Sequence, residues 1–214
     1  MIHIERLGIY LSKPVAFLIM VIYLVQSGLL VYLITDKFDL EKQIDYQQSR
    51  IIELEDKLKL YKVIEDLEIG FTDQEVTQLT NVIWDESRKY NYDPIFVVSV
   101  IMVESTFKKQ QVSDSGAAGL MQLRPFVAKS IAPKAGVDWA GPTTLHESES
   151  NIKLGTYYLF EQILKYGDIK QGLIAYNIGE TRLRDLIRNG QPLPKTYLNK
   201  VMSTYKRLKE SYQV

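Results

Sequence analysis

Asp93-Pro94-Ile95-Phe96-Val97-Val98-Ser99-Val100-Ile101-Met102-Val103-Glu104-Ser105-Thr106-Phe107 opens on a helix cap and runs into a carboxylate. Asp93 suits the N-cap, and Pro94 suits the first helical position, where its missing N–H loses no partner. The stretch from Ile95 to Val103 is almost wholly apolar, so this helix belongs in a core. An ionised carboxylate held against that much apolar surface is costly. Desolvation instead raises the carboxyl pKa and keeps its proton on near neutrality, as a general acid requires. Gly116-Ala117-Ala118-Gly119-Leu120-Met121-Gln122 follows, and its glycines let the backbone turn sharply and lie close to a ligand. The pattern is that of an enzyme built around one acid.

Working outward, Thr72-Asp73-Gln74-Glu75 is a capping box that opens a helix through about Lys89. Val76, Leu79, Val82 and Ile83 keep helical spacing along it. Later helices are expected over about 149–165, 169–176, 181–188 and 196–211. No convincing period-two strand interrupts them, so residues 71–212 read as one all-α domain.

The N-terminal part has another character. Residues 14–35, PVAFLIMVIYLVQSGLLVYLIT, carry no charge. At a rise of about 1.5 Å per residue this is roughly 33 Å of helix, enough to cross a bilayer core. A signal sequence is the competing reading, but its apolar core is usually only about 7–15 residues. Arg6, Lys13 and the amino terminus precede the span, whereas Asp36, Lys37 and Asp39 follow it. That bias expects residues 1–13 in the cytoplasm and the bulk of a single-pass inner-membrane protein on the periplasmic side. Residues 36–69 read as a helical stalk. Leu40, Ile44, Gln47, Ile51, Leu54, Leu58 and Tyr61 alternate at four and three, as a self-associating coiled coil requires. A lone amphipathic helix lying on the globular domain is the alternative.

Composition excludes several classes. Twenty-six basic residues balance 26 acidic ones, so no nucleic-acid footprint appears. Arg182, Arg184, Arg188, Lys195, Lys200, Lys206, Arg207 and Lys209 form a local basic bias, read either as a solvated helix face or as contact with an anionic polymer. Cysteine is absent, and His3 and His146 are the only histidines, which argues against thiol chemistry, a Ser-His-Asp triad or a histidine-rich metal site. Asp138 and the acids at 147 and 149 lack the spacing of a calcium loop, and no cofactor is implied.

Four motifs occur in order: Glu104-Ser105-Thr106-Phe107, Ser113 to Gln122, Asn151 to Leu159, and Ala175-Tyr176-Asn177-Ile178-Gly179. As E-S-x-F, S-x-x-G-A-x-G-L-M-Q, N-I-x-x-G-x-x-Y-L and A-Y-N-x-G they resemble the lytic transglycosylase domain of the soluble lytic transglycosylase type, with its goose-type-lysozyme-like fold. The resemblance covers about residues 75–205. It implies cleavage of the β-1,4 bond between N-acetylmuramic acid and N-acetylglucosamine in peptidoglycan. Glu104 is then the acid on the leaving oxygen and afterwards the base on the muramoyl 6-hydroxyl, which closes a 1,6-anhydro ring. By position, Tyr176 bonds near Glu104 and Asn177 shapes the same wall. Ser113 and Gln122 bind substrate beside the acid, Met121 lines the saccharide groove, and Tyr197 closes the cleft from the last helix. Two departures stand out: Arg124 replaces a frequent methionine, and Pro194-Lys195-Thr196-Tyr197-Leu198 is shorter than the family's stretch and lacks its acid. Ordinary glycosidases need two carboxylates across the bond. Glu104 has only Asp114 nearby in sequence, and an intramolecular nucleophile removes the need for a second. A water-using muramidase with Asp114 or another acid as base, and an inactive wall-binding scaffold, are the other readings.

Overall fold

The computed structural model describes residues 2–4, 9–67 and 70–213. They form two compact units, Met1–Leu54 and Glu55–Val214.

In the first unit, β1 (Ile2–Ile4) pairs antiparallel with β2 (Ile9–Leu11), with His3 opposite Tyr10. Strands of three residues are too short to show a period and were not legible in advance. Arg6, one of the flanking charges, lies outside the described residues. Helix α1 (Lys13–Glu65) begins immediately afterwards. Its apolar stretch is long enough to cross a membrane by length and composition, and none of that stretch is buried. Farther along, Leu40, Ile44, Ile51 and Leu54 each stay more than half exposed.

The second unit takes up the last turns of α1. Leu60, Val63 and Ile64 are buried there, and Tyr61 packs against the same core. The heptad pattern therefore slips where the helix begins to serve the domain, and Tyr61 belongs to that packing. Residues 68 and 69, the end of the expected stalk, lie outside the described residues. Helix α2 (Asp73–Lys89) carries the expected capping box: the Thr72 N–H donates to Glu75 Oε2 at 2.8 Å, and the Glu75 N–H donates to Thr72 Oγ1. Helix α3 (Pro94–Ser105) starts where Asp93 Oδ1 accepts from the Ile95 N–H at 2.9 Å. Asp93 also accepts from Tyr205 at 2.8 Å and pairs with Lys209 at 3.0 Å, tying the final helix to the start of α3.

The rest of the domain comprises α4 (Pro125–Ala135), a 3-10 turn (Pro142–His146), α5 (Ser148–Tyr166), α6 (Ile169–Ile178), α7 (Glu180–Arg188) and α8 (Thr196–Tyr212). The unit has no strand among its described residues, only isolated bridges joining Ala118 to Val112 and Leu123. The all-α expectation holds. The sequence reading missed α4 and the 3-10 turn. Ala128, Ile131, Ala132 and Ala135 of α4 are buried at clean helical spacing, but Pro125 and Pro133 obscured it. Pro125 sits in the first turn, where the missing N–H loses no partner, and Pro133 lies inside the helix two residues before its end, so only the backbone bond from its own position is given up. Most of α3 is buried, with α2 and α8 packed against it, while α5 packs on α2, α4 and α6.

Candidate active site

Glu104 lies in the last turn of α3, and the chain leaves that helix abruptly. Thr106 and Phe107 both adopt left-handed backbone, φ 52° and 57°, which is unusual for side chains of this kind. Complete burial of the Phe107 ring holds the turn. The Glu104 carboxyl faces a cleft of about 790 Å³. Burial pushes its pKa up to about 7, against a lowering pull from the Tyr197 hydroxyl. That hydroxyl comes from the first turn of α8 and donates to Glu104 Oε1 at 2.6 Å. Tyr197 is itself pushed well above the usual phenol range by burial and by the neighbouring carboxyl, so it stays a donor.

The loop from Gln111 to Leu123 forms one wall and is fastened from behind. Asn151, fully buried on α5, accepts from the Met121 N–H at 2.7 Å and donates to the carbonyls of Ala118 at 3.0 Å and Leu145 at 2.9 Å. Gly119 has φ 81°, and a β-carbon there would run into the Asn151 amide and the Leu145 carbonyl. Gly155 is required for a similar reason, because Met121 lies directly against it. The glycines and Asn151 of the sequence motifs thus serve the loop's shape.

Five of the seven residues singled out from the sequence line the cleft together: Glu104, Ser113, Gln122, Tyr176 and Asn177. Gln122 spends both amide hydrogens on the carbonyls of Gln111 (3.0 Å) and Gly119 (2.8 Å), leaving Oε1 as an acceptor for a ligand. Ser113 Oγ accepts from the Ala117 N–H at 3.0 Å and lies 3.1 Å from Ser115 Oγ. Tyr176 does not bond Glu104. Its hydroxyl donates to the Met121 carbonyl at 2.6 Å, and its ring lies 5.3 Å from that of Tyr158.

The other two residues do not line the cleft. Met121 is fully buried; its backbone is held by Asn151 and Tyr176, and its sulfur accepts from Thr156. Tyr197 touches the acid directly. Asp114 is exposed and also lies outside the lining. The lining further includes Tyr158, Arg124, Arg182 and the two-thirds-exposed ring of Phe126, none of which the sequence reading put in the site. Tyr158 was legible as the tyrosine of the third motif; Phe126 carried no pattern of its own.

A helical domain whose cleft centres on one protonatable carboxyl, beside a glycine-shaped loop, is the arrangement the motifs led us to expect. Residues 81–199, more than half of the chain, match the transglycosylase SLT domain family, and the chain belongs to it. A transglycosylase of Enterobacteria phage PRD1 is 35% identical over 116 residues, covering 54% of this chain and 38% of that relative. Membrane-bound lytic murein transglycosylase C of Cronobacter sakazakii is 29% identical over 102 residues, covering 47% of this chain and 28% of that relative. Among solved structures, an inactive glutamate-to-glutamine mutant of lytic transglycosylase Slt from Pseudomonas aeruginosa superimposes with a TM-score of 0.55. It is 23% identical and covers 62% of this chain and 24% of that one, a likeness of fold. This chain thus spans well under half the length of each of these relatives.

Proposed function

We propose that this protein is a membrane-anchored lytic transglycosylase that cuts peptidoglycan strands and leaves 1,6-anhydromuramoyl ends. The observation that carries the reading is the part-buried Glu104 carboxyl, raised to about 7 and held by Tyr197 in a cleft whose other acids are engaged elsewhere. Glu180 pairs with Lys165 at 2.7 Å and with Arg184, and Asp185 pairs with Arg188 at 3.0 Å. A hydrolase that inverts or retains would need a second free carboxylate across the bond.

Glu104 begins protonated and gives its proton to the leaving glycosidic oxygen as the C1–O bond breaks. The muramoyl 6-oxygen then bonds to C1, and its proton passes to Glu104, restoring the acid. No water is added, and the attacking hydroxyl is already on the sugar ring, so positioning replaces activation. Tyr197 orients the carboxyl and steadies its charged form. Tyr176 braces the loop through Met121, while Gln122 Oε1 suits an N-acetyl N–H. Ser113 and Asn177 supply further polar wall, and Phe126 gives a face for a sugar ring. The name of the Cronobacter relative and the apolar segment 14–35 support a membrane anchor, with the domain outside the cytoplasmic membrane beside its substrate.

The stalk is read as a parallel pair, with Ile44, Ile51 and Leu58 at one seam position and Leu40, Gln47 and Leu54 at the other. Their exposure supports it.

The test is mass spectrometry of peptidoglycan digested by the full chain in detergent. Anhydro ends support the proposal. Products heavier by one water, with reducing ends, would make the protein a muramidase. No products, from folded protein, would leave a wall-binding module.

A further inference from the structure

Arg124 and Arg182 both line the cleft, and among the described residues neither has a salt-bridge partner. Arg124 is the N-cap residue of α4, two positions after Gln122, and makes no side-chain capping bond. Arg182 lies in the first turns of α7, three residues after Gly179. A cation at a helix N-terminus opposes the helix dipole, so neither position is chosen for helix stability. The cleft's own acids do not balance them. Glu180 is occupied by Lys165 and Arg184, and Asp185 by Arg188, and none of those three cations lines the cleft. Glu104 is largely uncharged below about pH 7. The cleft that holds the acid therefore presents two guanidinium groups without an ion-pair partner, each able to grip a carboxylate with two parallel N–H bonds.

We propose that Arg124 and Arg182 bind a carboxylate carried on the muramoyl substituent and so set which glycan strands the cleft prefers. This rests on the transglycosylase reading of the same cleft. The carboxylate has two sources of one chemistry: the free lactyl group of a strand without peptide, or an acid group of an attached peptide.

The experiment uses the full chain in detergent, as wild type, Arg124→Gln, Arg182→Gln and the double variant. The polymers are intact peptidoglycan and amidase-stripped strands, each before and after carbodiimide coupling to methylamine, which turns carboxylates into neutral amides. Cleavage kinetics and co-sedimentation are both read, with the tryptophan melting curve as the folding control. Neutralising the polymer is expected to raise wild-type KM about three- to fivefold for each arginine engaged, the range of partly exposed ion pairs, with kcat little changed. The double variant should not respond to neutralisation. A response confined to stripped strands identifies the lactyl carboxylate, and one confined to intact material identifies the peptide. A double variant that loses the same factor as the wild type overturns the proposal, as does a wild type indifferent to neutralisation of both polymers. If nothing is cut, the activity reading fails, and co-sedimentation still decides the arginines through the same comparison.

Discussion

Replacing Glu104 by glutamine should stabilise this protein at alkaline pH and do little for it in acid. In the fold the Glu104 carboxyl titrates at about 7, against an ordinary 4.5 for an unfolded glutamate. Folding therefore favours the protonated form. Stability from this group is full below about pH 4.5 and is lost as pH rises through 7. A gap of about 2.5, at about 1.36 kcal/mol per pKa unit, amounts to about 3 kcal/mol once the carboxyl is fully ionised. Glutamine never ionises, and its carbonyl can still accept from Tyr197. Its new amide donor carries a penalty of about 1 kcal/mol if left unsatisfied, but that penalty does not vary with pH. The expected signature is thus a difference between conditions: Glu104→Gln gains about 3 kcal/mol more relative to wild type at pH 8 than at pH 4. At about 2–4 °C per kcal/mol for a domain of this size, the relative rise in Tm is roughly 6–12 °C. Both tryptophans, Trp84 and Trp139, lie in the second unit and pack in or against its core. Fluorescence melting of the detergent-solubilised full chain therefore reads this unit alone. Equal changes in Tm at pH 4 and pH 8 would refute the buried-acid account of Glu104, whatever became of activity.

On the proposed function, cleavage by the wild type should fall as pH rises above about 7, because the leaving oxygen needs a protonated acid. Tyr197→Phe removes the one bond that pulls the Glu104 pKa down, so this alkaline limb should move to higher pH, read from a pH–rate profile. A limb that stays in place or moves down would deny Tyr197 its hold on the acid. Asn151→Ala strips partners from the Met121 N–H and the Ala118 and Leu145 carbonyls at once. The Ala118 carbonyl keeps the Leu123 N–H, so two groups are orphaned; at about 1–3 kcal/mol each the loss is about 2–6 kcal/mol, measured by chemical denaturation with tryptophan emission. Because the chain has no cysteine, Ile44→Cys and Ile51→Cys report on the stalk cleanly. Disulfide dimers should form at both sites in membranes, and cross-linking no better than at an exposed position off the seam would remove the coiled-coil reading.

What the sequence revealed and what it hid divide along a physical line. Thr72 and Glu75, Asp93 and Pro94, and the buried run from Ile95 to Ile101 act within a few residues of themselves, so their caps and helix were legible. Glu104 was legible too, because a carboxylate at the end of such a run conflicts with its surroundings and needs a reason. Among the site residues, what differs from the expectation is where a side chain points across the fold. By position Tyr176 is expected to bond near Glu104 and Tyr197 to close the cleft, yet it is Tyr197, 93 residues away, that bonds the carboxyl, while the Tyr176 hydroxyl goes to a carbonyl 55 residues away. Local pattern cannot set those directions; the packing of α8 on α3 and of α6 on α5 and α8 does. Met121 shows the cost of carrying a motif over by position: it lies in the loop motif between residues that face the cleft, yet its own side chain is buried against Gly155 and Thr156. Asn151, Gly119, Gly155 and the Tyr176 hydroxyl all converge on that loop, and none of them touches Glu104 through a hydrogen bond. Four motifs that read as a catalytic constellation are thus, in large part, the supports of one acid. Substitutions at Gly119, Asn151, Gly155 and Tyr176 should therefore injure stability before chemistry, whereas those at Glu104 should do the reverse.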